Sequence, residues 1–297
     1  MLSRPPRADL RPFIETIWTC DDNLTDRRQD FQRERVLPTG AAHVALRLSE
    51  HPFRLFKDAG DLDGQIVGHS VIGGPRSACY IRDISQPARS IGAQLRPGAI
   101  ELLLGVPAAE LAGRHTSLDN VWGSKAQRVR DQLSDTRSPE RQLEIFEAVL
   151  ADALPRARGF HSEVARALQR LRITGNIGLI VDESGYSHRR FITLFQRSVG
   201  MTPKAYSRVL RFQNALTKLS SHSRSSVQLA LEAGYCDQPH FNREFRRIAG
   251  ISPGRYVRLS PDRKYHVPLT TPDPAMAHGL GFNSVQDTKP APDHCRA

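Results

Sequence analysis

Apolar residues follow two different rhythms along this chain. In residues 1–96 they come in short stretches broken by Gly, Pro and Asp. Val44, Leu46 and Leu48 alternate with His43, Ala45 and Arg47, and Ile91, Ala93 and Leu95 alternate with Gly92, Gln94 and Arg96. A period of two with such punctuation predicts antiparallel strands in a small barrel or sandwich. The rhythm then lengthens. Pro97 and Pro107 stand where short helices would open, and Ser138 followed by Pro139 reads as an N-cap with proline at the first helical position. Leu143, Phe146, Leu150 and Leu154 fall at i, i+3, i+7 and i+11, the stripe of an amphipathic helix that serves either the domain's own core or a dimer surface.

Pro155 and Gly159 bracket a short basic connection, after which Val164, Leu168 and Leu171 resume helical spacing. The pattern predicts an α+β protein in three parts: a mixed α/β domain over 1–155, an all-α domain over 160–260, and a tail over 261–297. The tail is Pro-rich and aperiodic, so it is expected to be disordered.

Inside the helical part the sequence repeats. Gly185 and Tyr186, then Phe191, Phe195, Gly200, Pro203 and Tyr206, return as Gly234 and Tyr235, then Phe241, Phe245, Gly250, Pro253 and Tyr256. The offset is 49 residues before the turn and 50 after it, so the second copy has one added residue in its turn. Each copy reads as a short helix, a glycine that ends it, and a second helix. Ile177, Leu179, Ile180 and Val181 supply the apolar side of the first scaffold helix, and Val227, Leu229, Ala230 and Leu231 do so in the second. Ser187 and Asp237 then cap helices whose Phe191, Leu194 and Phe195, or Phe241 and Phe245, turn inward. Between the copies, Thr202 and Pro203 open a helix long enough to hold the two units at a fixed separation.

Charge divides along the same line. The net charge is +11; residues 156–264 hold 20 Lys and Arg against 7 Asp and Glu, residues 1–155 hold 20 against 21, and residues 265–297 hold 2 against 3. The entire surplus therefore lies on the repeated half, as expected of a nucleic-acid binder joined to a near-neutral sensor. No stretch approaches the roughly 18 apolar residues of a membrane span, and no apolar segment like a signal peptide's opens the chain, so a cytoplasmic address and no membrane role are expected. Cys20, Cys79, Cys236 and Cys295 form no Cys-x-x-Cys pair, so neither a disulfide nor a metal site is expected.

A helix fits the major groove of DNA, its first residues reach base edges, and Arg and Gln carry the hydrogen-bonding forks that read guanine and adenine. The candidates on the first copy are His188, Arg189 and Arg190 in the opening turn, with Arg197 further along the helix. On the second they are Gln238, His240, Arg243, Arg246 and Arg247. The plainer reading, a solvated basic face on a helical bundle, is weakened by the duplication. Two such helices on one DNA face would meet successive major grooves, about 34 Å apart.

These features together resemble the DNA-binding domain of AraC-type transcription regulators. The resemblance covers residues 160–260 and rests on the helix-ending glycines, the echo of GMTPKAY in GISPGRY, and the stretch CDQPHFNREFRR at 236–247. It implies a cytoplasmic bacterial regulator with two helix-turn-helix motifs, often an activator that contacts RNA polymerase. It also implies that Arg189, Ile192 and Thr193 face DNA from the first motif, and Gln238, Pro239, His240 and Arg243 from the second. Ile192 and Thr193 depart from the long polar residues some members carry there. The first half is similar to an N-terminal module attached to such regulators, through Trp18, RVLPTG at 35–40, VIGGP at 71–75 and LRPGAIELLLG at 95–105. That module commonly binds a small effector or mediates homodimerisation, frequently on a cupin-like barrel.

An enzyme reading lacks its parts: there is no G-x-S-x-G elbow, H-E-x-x-H pair or phosphate loop, and no cofactor is expected. His43, Arg47, Gln94 and Arg96 share the polar faces of their two strands and would orient an anionic or hydroxylated effector if those faces line a barrel interior. The competing reading is an architectural DNA binder without a ligand, its first half serving only for assembly.

Overall fold

We describe residues 1–22, 32–154, 159–173, 175–219 and 226–269 from a computed structural model. The alternating segments fold as strands. In chain order they are β1 (Leu2–Arg4), β2 (Ile14–Asp22), β3 (Arg33–Val36), β4 (His43–Arg47), β5 (Phe53–Phe56), β6 (Gln65–Gly68), β7 (Ser70–Gly73), β8 (Tyr80–Asp83) and β9 (Ala88–Leu95). Short helices α1 (Ile100–Leu104) and α2 (Ala108–Leu111) follow, then β10 (His115–Ser117), α3 (Asp119–Trp122), α4 (Ser124–Asp135) and α5 (Pro139–Ala153). One sheet runs β1-β2-β9-β4-β7-β10, and a second contains β3, β8, β5 and β6 in that order, with every pairing antiparallel.

Strand β4 lies at the centre of the larger sheet, paired with β9 in the register His43↔Gln94 and Val44↔Ala93. Its two faces have different tasks. Val44 and Leu46 pack with Leu143, Phe146 and Leu150 of α5, all fully buried, so the stripe on α5 serves the domain's own core. Ala45, on the other face, packs with Phe53 and Val71 toward the second sheet. Ser138 caps α5 by accepting from the Arg141 amide, with Pro139 in the first turn, as its sequence predicts. Pro107 likewise stands at the N-cap of α2, whereas Pro97 lies in the turn ahead of α1.

The second half is helical: α6 (Ser162–Ile173), α7 (Ile177–Glu183), α8 (His188–Val199), α9 (Pro203–Leu219), α10 (Ser226–Glu232), α11 (Gln238–Ala249) and α12 (Pro253–Leu259). Two apolar clusters share α9. Tyr206 and Val209 join Phe191, Phe195 and Val199 in the first, and Phe212, Ala215 and Leu216 join Phe241, Phe245 and Tyr256 in the second. A helix of 17 residues spans about 25 Å at 1.5 Å per residue, so α9 acts as a strut between the copies. Ion pairs from Arg208 to Glu244 at 3.0 Å and from Lys218 to Glu232 at 3.1 Å fasten it to α11 and α10.

The tail departs from expectation where it begins. His266–Leu269 form β11, antiparallel to β3 at the edge of the second sheet, in the register His266↔Val36 to Leu269↔Arg33. Val267 is fully buried and Leu269 nearly so, and the unpaired edge of β3 supplies the hydrogen-bonding partner that a Pro-containing segment lacks in isolation. The rest of the tail, from 270, lies outside the described residues, as do 155–158 of the expected domain boundary. Cys20 and Cys79 take part in no disulfide, whereas Cys236 is disulfide-bonded, which corrects the expectation that none would form.

Candidate nucleic-acid interface and the cavity behind it

Each repeat builds the same helix start. The Ser187 hydroxyl accepts from the Arg190 amide at 3.4 Å, and the Asp237 carboxylate accepts from the His240 amide at 2.6 Å. Gly185 and Gly234 take the positive φ of 69° and 84° that the turn before each cap demands. In α8 the stripe of Phe191, Phe195 and Val199 is buried, and His188, Arg189, Arg190 and Thr193 are exposed. Ile192 is half-buried, and the Thr193 hydroxyl donates to the Arg189 carbonyl at 3.0 Å. In α11 Pro239, Arg243, Arg246 and Arg247 are exposed, with Gln238 and His240 half-buried. The imidazole of His240 stands edge-on to Tyr235 at 5.5 Å.

Two of the expected contacts are engaged elsewhere. The Arg190 guanidinium lies 4.7 Å above the Tyr186 ring, and Arg197 pairs at 2.7 Å with Glu101 of α1. The second contact belongs to a wider pattern. Gly200, which ends α8 at φ 79°, lies where any Cβ would come within 2.6 Å of Pro75 and 2.8 Å of the Ala108 carbonyl. Gly250 ends α11 in the same conformation and would bring a Cβ to 3.1 Å from Arg35 and 3.3 Å from Cys79. The Cys79 amide also donates to the Ile248 carbonyl at 2.8 Å. Both helices thus rest their C-terminal ends on the first domain and leave their opening turns in solvent.

Behind this contact, between the two sheets, lies a cavity of about 260 Å³. His43, Arg47 and Gln94 line it, as their strand faces suggest, whereas Arg96 is exposed and donates to the Arg11 carbonyl at 2.8 Å. Sequence reasoning missed most of the polar wall: Arg76, Tyr80, Arg82, His115, Arg263 and His266. The one available signal was the paired glycine of VIGGP. A Cβ on Gly73 would fall 2.0 Å from the His43 ring, so this glycine leaves the space that the imidazole occupies. Arg82 and His266 both bond to Glu34, at 2.5 and 2.9 Å, and hold its carboxyl far below the usual carboxylate range although burial opposes this. Burial, with the charges of Arg76 and Arg82 adding to it, pushes His43 down to about 3; burial and Arg76 push His115 down to about 2. Both imidazoles are neutral at ordinary pH. No group of His, Cys, Asp and Glu among the described residues could hold a metal ion.

Residues 180–259 match a family described as a helix-turn-helix domain, and residues 3–117 match a domain of unknown function, DUF6597. The second half carries an AraC-type helix-turn-helix domain. An uncharacterised HTH-type transcriptional regulator of Haemophilus influenzae is 30% identical over 89 residues, 30% of each chain. The HTH-type regulator MtrA of Neisseria gonorrhoeae is 30% identical over 81 residues, 27% of each chain, and the melibiose operon regulatory protein of Escherichia coli is 32% identical over 75, 25% of each. The chain spans less than a third of the length of these relatives. Among solved structures, ToxT from Vibrio cholerae superposes with a TM-score of 0.43 at 9% identity, covering 82% of this chain and 96% of that one. No helix among the described residues is long and apolar enough to cross a membrane.

Proposed function

We propose that this protein is a sequence-specific DNA-binding transcription regulator of the bacterial cytoplasm. In this reading α7–α8 and α10–α11 act as two helix-turn-helix motifs that enter successive major grooves of promoter DNA, and a small effector bound to the first domain controls them. The observation that carries the reading is the shared docking of the two reading helices. Gly200 and Gly250 seat both C-terminal ends on one domain, while Arg189 in the first turn of one helix and Arg243 in the second turn of the other stay exposed and Gln238 is half-buried. A pair held this way by a 17-residue strut presents two helix faces, one with Arg189 and one with Arg243, to one partner. The HTH-type regulators among the relatives support the same function.

The cavity between the sheets favours effector control over an architectural binder, because a domain serving only assembly has no use for a polar-walled space in its core. An effector acts here by favouring one arrangement of the two halves over another. The test is selection of duplexes from a random pool by the full chain, followed by footprinting. Two protected major-groove segments about one helical turn apart are expected. Arg243→Ala should cost about 1–3 kcal/mol on the selected site and relax the sequence preference at one position. Uniform weakening on all duplexes would make Arg243 a phosphate contact, and failure to select any sequence would overturn the proposal.

A further inference from the structure

The cavity wall holds a cation that no described carboxylate neutralises. Arg76 donates to the Arg114 carbonyl at 3.1 Å, to the Gly74 carbonyl at 3.4 Å and to His115 Nδ1 at 3.0 Å, and it lies 4.3 Å above the Tyr80 ring. Every one of these partners is neutral. Because a guanidinium can only donate, His115 Nδ1 must accept, which leaves that ring uncharged with its proton on Nε2. Arg82, by contrast, is matched by Glu34. Asp83, the acid in the lining, accepts from the Ser85 amide and does not pair with Arg76. Arg76 is half-buried; a positive group partly withdrawn from water without a counter-charge is unfavourable, and an anion entering the cavity relieves it.

The surroundings define what else the anion must carry. Tyr80 and His115 meet edge to face at 4.4 Å, and His43 stacks at 6.4 Å beyond them, a neutral hydrogen-bonding shelf beside Arg76. Trp18, Phe53, Val71 and Tyr265 supply apolar and aromatic walls. At about 260 Å³ the space is several times the roughly 30 Å³ share of a water molecule, too large for an inorganic ion alone. The segment that closes it, with Arg263, Tyr265 and His266, runs directly from α12 of the second helix-turn-helix unit into β11.

We propose that this cavity binds a compact aromatic carboxylate, with Arg76 as its counter-ion and the 263–266 segment closing over the ring, so that occupancy is felt by the strand that follows the second reading unit. The inference rests on the effector reading of the first domain given above. The probes are benzoate and indole-3-carboxylate, each against its uncharged amide, with inorganic phosphate as a third arm; binding to the full chain is read by thermal shift and tryptophan fluorescence. The carboxylates should bind at least tenfold more tightly than the amides and slow amide hydrogen exchange in His266–Leu269. Arg76→Gln should abolish the preference and Arg76→Lys should keep part of it. If the glutamine variant does not fold, the comparison of acid with amide on the unaltered chain decides. Equal binding of amides, no binding of either carboxylate, or phosphate binding as tightly as the carboxylates overturns the inference. Selection of DNA by the same preparation separates the two readings: a chain that selects DNA but shows no carboxylate preference loses only this inference, and one that prefers carboxylates but selects no DNA loses only the regulator.

Discussion

Asp237 and His43 show how much a single side chain decides here. The Asp237 carboxylate satisfies an amide that would otherwise be orphaned at the start of α11, close to the positive end of the helix dipole. Asp237→Ala should lower stability by about 0.5–2 kcal/mol, measured as a shift in the denaturant midpoint with an unchanged slope. His43 and His115 act through protons instead. Their folded values, about 3 and about 2, lie below the ordinary histidine value of 6.5, so between pH 6.5 and about 3 the unfolded chain binds more protons than the folded one. Stability therefore rises with pH across that window and is lost on acidification from about pH 6.5 downward. Each histidine contributes on the order of 1 kcal/mol per pH unit. Glu34 adds to the loss only below about pH 4.5, where its unfolded carboxyl takes up a proton. Melting temperatures between pH 7 and pH 5 should accordingly fall, and His43→Gln should flatten the fall. An equally steep fall in that variant would show that His43 is not buried in its neutral form.

Among the elements, β11 and α9 carry the connection between the halves. The side chain of Val267 sits in the cluster of the second repeat with Leu37, Phe212 and Tyr256, while its backbone pairs with Arg35 of β3. One strand thus belongs to both domains. Val267→Asp buries an unpaired charge at that joint and should cost about 3 kcal/mol or more, followed by thermal unfolding. Unchanged stability would mean that the Val267 side chain is not held in that apolar cluster. The caps and spacing of these helices were legible in the chain because each depends on neighbours three or four residues away. Ser138, Ser187 and Asp237 all cap as their context requires. The strand HVPL was not legible, because four residues with a proline have no local preference strong enough to stand out from the tail around them.

For the molecule as a whole, the surplus of positive charge on residues 156–264 should dominate affinity for nucleic acid. The logarithm of the binding constant should fall linearly with the logarithm of salt concentration, by about 0.9 for each phosphate neutralised. Each exposed arginine removed from a phosphate contact, Arg246→Ala for example, should make that slope shallower by about the same amount. Fluorescence anisotropy on one duplex across a salt series measures it, and a slope unchanged by substitutions on both reading helices would place the DNA elsewhere.

The tandem units, their caps, the basic faces and the change from strand to helix were all present in the order of residues, because helical and strand periods report which face of an element is apolar within a few positions. What an apolar or polar face meets is a different matter. That β4 turns His43 and Arg47 into a cavity, that Arg76 lies over Tyr80 with neutral partners, and that Gly200 and Gly250 rest on the first domain are contacts between distant segments. The bond from His266 to Glu34 joins residues 232 apart. Periodicity carries no record of such partners; they follow from which buried donors, acceptors and charges find one another once the two sheets and two helical units have packed.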